Sequence, residues 1–455
     1  MCLVVCLLVI LRLKTCVSVL QATLGKGQIM KGICWVVFAN LLFFTVPVTG
    51  QVQDSPLLDK PVALSDLLNE AERNNPQIQA ARYQWEGSKQ VPTQVSTLPD
   101  PQFVLQHVSV GSPRPFAGYT NSDFAYLGFG FSQDIPYPGK LKLRNEIARK
   151  DSDVTKQRYE SVRLTVLTQV KAAYFQLAFL ARRRAILEGD GELLRQVEEA
   201  ATAHYRSGMG NQQEVIQAQL QRTKLLREVV ETELEAGKTQ SELKKLLNRP
   251  QSSPDLAATE LSETPAPYSY HQLLAAAQAN NPEIAGAEKM IEKQGLQVDL
   301  ARKDFYPDFN VQYMWQRTDP TQFRAYYMLT LGVRIPIYKS RKQQPELAQA
   351  QADQNQARSE HEMQSQQVAA ELRQQLLVAE KSAELAKIYR EGLIPQAHAE
   401  LQAGLAAYQS NRQDFQALLA SFLDVLKLDE EYWQALAERE TALAQIERAT
   451  GLSLR

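Results

Sequence analysis

Five histidines and four cysteines are the residues here best suited to hold a metal or attack a substrate. The histidines are His107, His204, His271, His361 and His398. No two stand three or four residues apart, the spacing that puts two ligands on one helix face, and no carboxylate-rich cluster joins them. The cysteines, Cys2, Cys6, Cys16 and Cys34, all lie in the first 34 residues. No nucleophile motif, phosphate loop or dinucleotide fingerprint occurs, and the short "GKGQ" at Gly25 falls in the leader region. The sequence therefore predicts no catalytic residue, no cofactor and no metal centre. His204 is expected to be a solvated surface residue. The Glu/Lys/Arg-rich stretch from Arg222 to Lys245 reads as a solvated helix face.

The segments that would place any functional residue begin after a leader. Residues 1–50 read as a secretory signal: Lys31 precedes the apolar run Ile33 to Val48, which ends at the small-residue "VTG" before Gln51. Met30 is the more natural start, so residues 1–29 look like an upstream extension. A retained membrane anchor is the competing reading. No cysteine follows the apolar core, which gives a lipid anchor little support. Beyond residue 50 there are 46 Lys/Arg against 51 Asp/Glu, an acidic balance that argues against nucleic acid. No cysteine remains there for a disulfide or a thiolate metal site. No uncharged apolar run of about 18 residues, the length of a spanning helix, is evident either.

One pattern is written twice. "RNNPQIQAA" at Arg73 to Ala81 returns as "ANNPEIAGA" at Ala279 to Ala287. With it, Leu67, Leu68 and Ala71 fall on Leu273, Leu274 and Ala277, and Pro101 and Phe103 fall on Pro307 and Phe309. Ile135-Pro136 falls on Ile335-Pro336, and Tyr205 and Ser207 fall on Tyr408 and Ser410. The shared order predicts a tandem duplication. After an extended segment 51–63, a first repeat spans 64–250 and a connector 251–267. A second repeat spans 268–451, leaving a tail 452–455.

Each repeat predicts the same series of elements. "NNP" is a helix start: Asn caps free N–H groups, and Pro fits the first turn, where its missing N–H is not needed. That helix should run toward Pro99 or Pro307. Next come alternating segments. Leu127, Phe129 and Phe131 alternate with Gly128, Gly130 and Ser132; Leu329, Leu331, Val333 and Ile335 alternate with Thr330, Gly332 and Arg334. Phe309, Val311, Tyr313 and Trp315 also alternate with polar neighbours and Met314. Period two means strands with one apolar face, and about ten residues suits a tilted strand crossing a membrane. His107 could then sit in an interfacial belt. "GSPRPFAGYTNS" and "QRTDPTQ" would join the strand pairs. An ordinary soluble hairpin is the alternative.

The period then changes. From about Lys140 to Ser207 a very long helix is expected, with two apolar seams. One seam is Val162, Val166, Val170, Ala173, Leu177 and Leu180. The other is Leu164, Leu167, Lys171, Tyr174, Ala178 and Ala181. Two seams imply neighbours on both sides. A break at "YRSGMGN", Tyr205 to Asn211, leads to a return helix through Val215, Leu225, Val229 and Leu246. "YQSNRQD", Tyr408 to Asp414, repeats the break. Gly208 and Asn411 occupy the same place in the two breaks, and both residue types tolerate a left-handed turn. Two strand pairs make four strands. Strands in a bilayer must close into a barrel, and four cannot, so several chains would have to share one.

Taken together, the chain resembles the TolC-type outer-membrane efflux family over about residues 60–451. The two "NNP" starts, "PDPQF" at Pro99 to Phe103, "YPDFNV" at Tyr306 to Val311 and the tip at Tyr205 to Gly208 carry the likeness. "DIPYPGKLKLR", Asp134 to Arg144, is similar to the CzcC-like heavy-metal branch. The resemblance implies a homotrimer: four strands per chain in a twelve-stranded outer-membrane barrel, above a periplasmic tunnel of very long antiparallel helices. It implies a passive conduit, with a periplasmic adaptor protein and an inner-membrane pump of the resistance-nodulation-division or a related type as partners. It also implies a gate at the helix tips. Glu214 matches an acidic gate residue and Tyr408 its tyrosine partner. Arg412 is a candidate basic partner, one place from the family's arginine position, where this chain has Gln413. Where the family often carries an aspartate ring, this chain has Ala417 and Ala420, and Asp414, one turn closer to the tip, could substitute.

Two rival functions remain open at this stage. One is the outer channel of a drug pump or type I secretion system, which has the same physics. The other, of a different class, is a periplasmic coiled-coil scaffold without a pore.

Overall fold

A computed structural model describes residues 62–108, 126–259, 261, 269–317 and 325–452. The leader, most of segment 51–63, the loop "GSPRPFAGYTNS" with its flanks, most of "QRTDPTQ", residues 260 and 262–267 of the connector, residue 268 and residues 453–455 lie outside the described residues.

The "NNP" motif joins two helices. α1 (Leu64–Asn74) ends where Asn75 begins α2 (Pro76–Ser88), and α3 (Val91–Ser96) follows. The buried Asn75 serves both sides of the joint. Its side-chain oxygen accepts from the N–H groups of Gln77 (2.8 Å) and Ile78 (3.2 Å), while its Nδ2 donates to the carbonyl of Leu246 (2.8 Å). The second copy repeats this geometry between α6 (Tyr270–Asn280) and α7 (Pro282–Lys303). Asn281 accepts from Glu283 and Ile284, and donates to the Ala449 carbonyl at 2.9 Å. Each Asn thus caps one helix start and ties down the end of a distant helix. In the second copy the helix expected to run on toward Pro307 is α7; in the first the run toward Pro99 is divided, ending at Ser88 and resuming at Val91, and in both copies a further helix ends at the extended backbone of the capping Asn.

The strands β1 (Gln102–Val108), β2 (Tyr126–Ile135), β3 (Asp308–Arg317) and β4 (Tyr326–Arg334) form one antiparallel sheet in chain order. Their register stacks like with like. Phe103, Phe131, Tyr313 and Leu329 make one row; Leu105, Phe129, Trp315 and Tyr327 make the next. On the other face the rows read Gln102, Ser132, Gln312 and Thr330, then Val104, Gly130, Met314 and Met328. The aromatic face is open: Phe103 is 73% and Leu331 71% exposed. β1 and β4 are unpaired edges among the described residues.

α4 (Lys140–Arg206) runs for 67 residues, about 100 Å at 1.5 Å per residue. It carries no proline, and its return partner is α5 (Gln212–Leu246). The first expected seam is half-buried or buried throughout, packing Val166, Val170 and Leu177 against Leu67, Ile78, Leu243 and Leu246. The second seam is interrupted, because Ala181 is exposed. Within α4 one stretch is long and apolar enough to cross a membrane by composition, unlike the expectation from sequence, but half of it is buried inside the chain. It coincides with this packed region.

The second long rod is α8 (Gln343–Ile388) and α9 (Ile394–Gln409), joined by a π turn at Tyr389–Leu393. Pro395 explains the turn: it has no N–H, and its ring would clash with the carbonyl four residues earlier. α10 (Phe415–Thr450) returns. Leu273, Ala277 and Ile284 pack there on Leu372, Leu376, Leu443 and Ile446, echoing the first cluster.

Candidate functional site

Both helix turnarounds close in the same way. Gly208 has φ +76° and Asn411 φ +57°, the left-handed conformation that ends a helix. The N–H of Met209 donates back to the His204 carbonyl at 3.0 Å, and that of Arg412 to Ala407 at 2.8 Å. Asn211 then caps α5 by accepting from the Glu214 N–H, and Asp414 caps α10 by accepting from the Ala417 N–H at 3.0 Å. Asp414 is therefore engaged in starting a helix.

The two turnarounds meet through Tyr408. Its hydroxyl donates to the Glu214 carboxylate at 2.8 Å. The ring is 2% exposed, lies stacked on His204 with centroids 4.4 Å apart, and meets Phe415 edge-on at 5.9 Å. Burial, reinforced by the Glu214 bond and charge, pushes the Tyr408 hydroxyl well above the usual tyrosine range. The phenol stays protonated, so it is always the donor. Gln416 also donates to Gln217 across the same gap. Around these contacts Leu194, Val197, Leu401, Leu418 and Phe422 form a buried apolar cluster.

Of the residues singled out in sequence, the structure brings Glu214 and Tyr408 together. Tyr205 is about half exposed and Gly208 and Asn411 sit at the turns. Arg412 makes no ion pair with Glu214 or any other described carboxylate within 4.0 Å. The expected surface position of His204 is corrected: it is 7% exposed, because the seam of α4 continues to the tip and places its ring under Tyr408. Phe415 and the Gln217–Gln416 pair were not singled out from sequence. Phe415 carried a signal, since it directly follows the capping Asp414 and begins the apolar seam of α10.

A second polar group lies higher on the rods. Asp190 on α4 faces Asp429 on α10 and His398 on α9, and His398 Nε2 is 3.4 Å from Asp429 Oδ2. Asp190 Oδ2 is buried without a hydrogen-bond partner. Burial, then the Asp429 charge, pushes the Asp190 carboxyl up to about 6, against the pull of His398. Burial also raises Asp429, opposed by His398 and Arg182. No set of three His, Cys, Asp or Glu side chains among the described residues is arranged to hold a metal.

An open antiparallel sheet with one aromatic face, standing on two hairpins of very long helices, defines a channel-type protein. The chain belongs to the outer membrane efflux protein family, whose model matches twice, over residues 67–249 and 273–452. The fold is similar to that of the outer-membrane channel OprN, with a TM-score of 0.75, 17% identity, and coverage of 86% of this chain and 90% of that one. It is similar also to VceC of Vibrio cholerae, with a TM-score of 0.73, 16% identity and coverage of 86% and 97%. The open-state MtrE channel of Neisseria gonorrhoeae gives 0.72, 16%, 86% and 89%. No curated protein matches the chain. The family and these neighbours are channel proteins and not enzymes.

Proposed function

We propose that this chain is the outer-membrane channel of a tripartite export system, working as a passive homotrimeric conduit. Each subunit would give four strands to a twelve-stranded barrel and four long helical rods to a tunnel extending into the periplasm. The observation that carries the reading is the four-stranded sheet with an exposed aromatic face and two edges unpaired among the described residues. Such a sheet needs lipid on that face and further strands at its edges, because an open edge in a bilayer cannot be hydrated. The exposed apolar stripe of α5 (Ile216, Leu220, Leu226, Val230, Leu234) is support for neighbouring subunits on the helical part. The twofold family match supports an origin by tandem duplication, with repeats over 64–250 and 268–451.

In this reading the Glu214–Tyr408 contact is a resting latch between the two helix hairpins of a subunit. Arg412, without an ion pair among the described residues, would reach a neighbouring subunit. A periplasmic adaptor would engage the tips, and an inner-membrane pump would supply the energy. Heavy-metal cations are the cargo we propose, on the likeness of Asp134 to Arg144 to the CzcC-like branch. Sensitivity of a deletion strain to zinc, cobalt and cadmium, against its sensitivity to drugs, decides between a metal and a drug system.

Fractionation tests the class. A barrel stays with the outer membrane through carbonate and urea washes and resists SDS until heated. A coiled-coil scaffold washes off, and that result would remove the channel reading.

A further inference from the structure

The two repeats leave the sheet differently at its helix-facing end. After β2, the side chain of Lys140 is buried between Asp304 (3.0 Å) and Asp308 (2.9 Å), and Tyr137 stacks on Tyr306 at 4.6 Å. Charge and ring are both consumed inside the chain. After β4, the segment Ile335 to Lys342 does the opposite. Ile335, Ile337 and Tyr338 are 64%, 72% and 68% exposed. Immediately after them Lys339, Arg341 and Lys342 are exposed, with no ion pair to any described carboxylate within 4.0 Å. Backbone bonds from Arg341 and Lys342 to the Tyr338 carbonyl, 3.0 and 2.9 Å, hold the turn.

The groove here, about 520 Å³, is lined by Arg334, Ile337, Tyr338, Lys342 and the buried Gln343, and also by Glu346 and by Asp304 and Asp308, which Lys140 already pairs. Gln343 Oε1 has no hydrogen-bond partner. Apolar side chains, a tyrosine, the exposed Lys339, Arg341 and Lys342, which outnumber the one unpaired carboxylate of the groove, Glu346, and an orphan acceptor thus succeed one another along the chain. That order matches the order acyl chain, interface, headgroup phosphate and headgroup hydroxyl.

Resting on the channel reading above, we propose that Ile335 to Gln343 is a docking site for an anionic glycerophospholipid of the helix-facing leaflet. The acyl chains lie along Ile335 and Ile337. The phosphate meets Arg341 and Lys342, and a headgroup hydroxyl donates to Gln343. Lys339 adds to the local positive potential.

The test is native mass spectrometry of the full protein purified from the outer membrane in detergent, offered phosphatidylglycerol or phosphatidylcholine. The wild type should retain phosphatidylglycerol about 25-fold better, at roughly a factor of five for each of Arg341 and Lys342 at an anionic surface. The triple variant Lys339→Gln, Arg341→Gln, Lys342→Gln should lose that preference while keeping its SDS-resistant, heat-sensitive band. Equal retention of the two lipids by the wild type overturns the proposal, as does a preference that survives in the variant. Competition by inorganic phosphate would reveal a free-anion site, and oxidative cross-linking of an Arg341→Cys variant to a neighbouring chain would reveal a subunit contact; either overturns it. Recovery of the wild type from the soluble fraction, seen before any lipid is added, overturns the channel reading and this inference together.

Discussion

The Tyr408 hydroxyl donates a 2.8 Å hydrogen bond to Glu214, 194 residues away in sequence, and so ties the tip of one helix hairpin to the other. A hydrogen bond to a charged acceptor contributes about 1.5–3 kcal/mol. Tyr408→Phe keeps the stack on His204 and the packing on Phe415 but removes that bond. If the bond latches the tip, Tyr408→Phe and Glu214→Ala should each raise resting single-channel conductance events and antibiotic leakage about tenfold. Unchanged conductance and leakage in both would show that the contact is ordinary tip packing.

Asn75 and Asn281 are the points where a helix start and a distant helix end share one side chain. Replacing either with Ala leaves two N–H groups and one carbonyl without their buried partner, at a cost of about 2–3 kcal/mol. Urea unfolding followed by circular dichroism should show a similar loss for each. Asn75→Asp keeps the cap but loses the donor to Leu246, so its loss should be smaller than that of Asn75→Ala.

Gly130 is buried opposite Met314, on the sheet face away from the aromatic side chains. A Cβ there would stand 2.1 Å from the Tyr313 carbonyl oxygen and 2.8 Å from the Met314 Cα, both backbone atoms that cannot move aside. Gly130→Ala should abolish the SDS-resistant band. Gly332→Ala is the control: its nearest neighbour is an Asn310 side-chain carbon at 3.5 Å, and assembly should survive.

Much of this was legible because both periods leave strong marks. The alternation of Phe129 and Phe131 with glycines, and the unbroken run from Lys140, each allow one secondary structure. The duplicated "YxS" tips located both turns. What was hidden depended on contacts between distant segments. His204 reads as polar, and only the packing of α9 and α10 against α4 shows that its ring supports Tyr408. The π turn at Tyr389 follows from Pro395, but its form depends on how the helix recovers its bonds. Asp190 gives no sign in sequence of Asp429, 239 positions on.

Asp190 also fixes a pH dependence. Its carboxyl sits near 6 in the folded chain, above the usual 3.8, so the folded state binds its proton more tightly than the unfolded state does. The stability this neutral form provides is complete below about pH 3.8 and is lost as pH rises through about 6. Burial of Asp429 and Glu430 acts in the same direction. Asp190→Asn should flatten the fall between pH 4 and 6 and unfold at higher urea at pH 7.5. A parallel curve for the variant would show that Asp190 does not titrate in this window.

The central claim is that one chain's four-stranded sheet is a third of a shared wall in lipid. Native mass spectrometry of the protein extracted from the outer membrane in detergent measures the chain count directly. The account predicts three chains and no free monomer. A single chain, recovered without detergent and with the Phe103 and Leu331 face folded away from lipid, would contradict it.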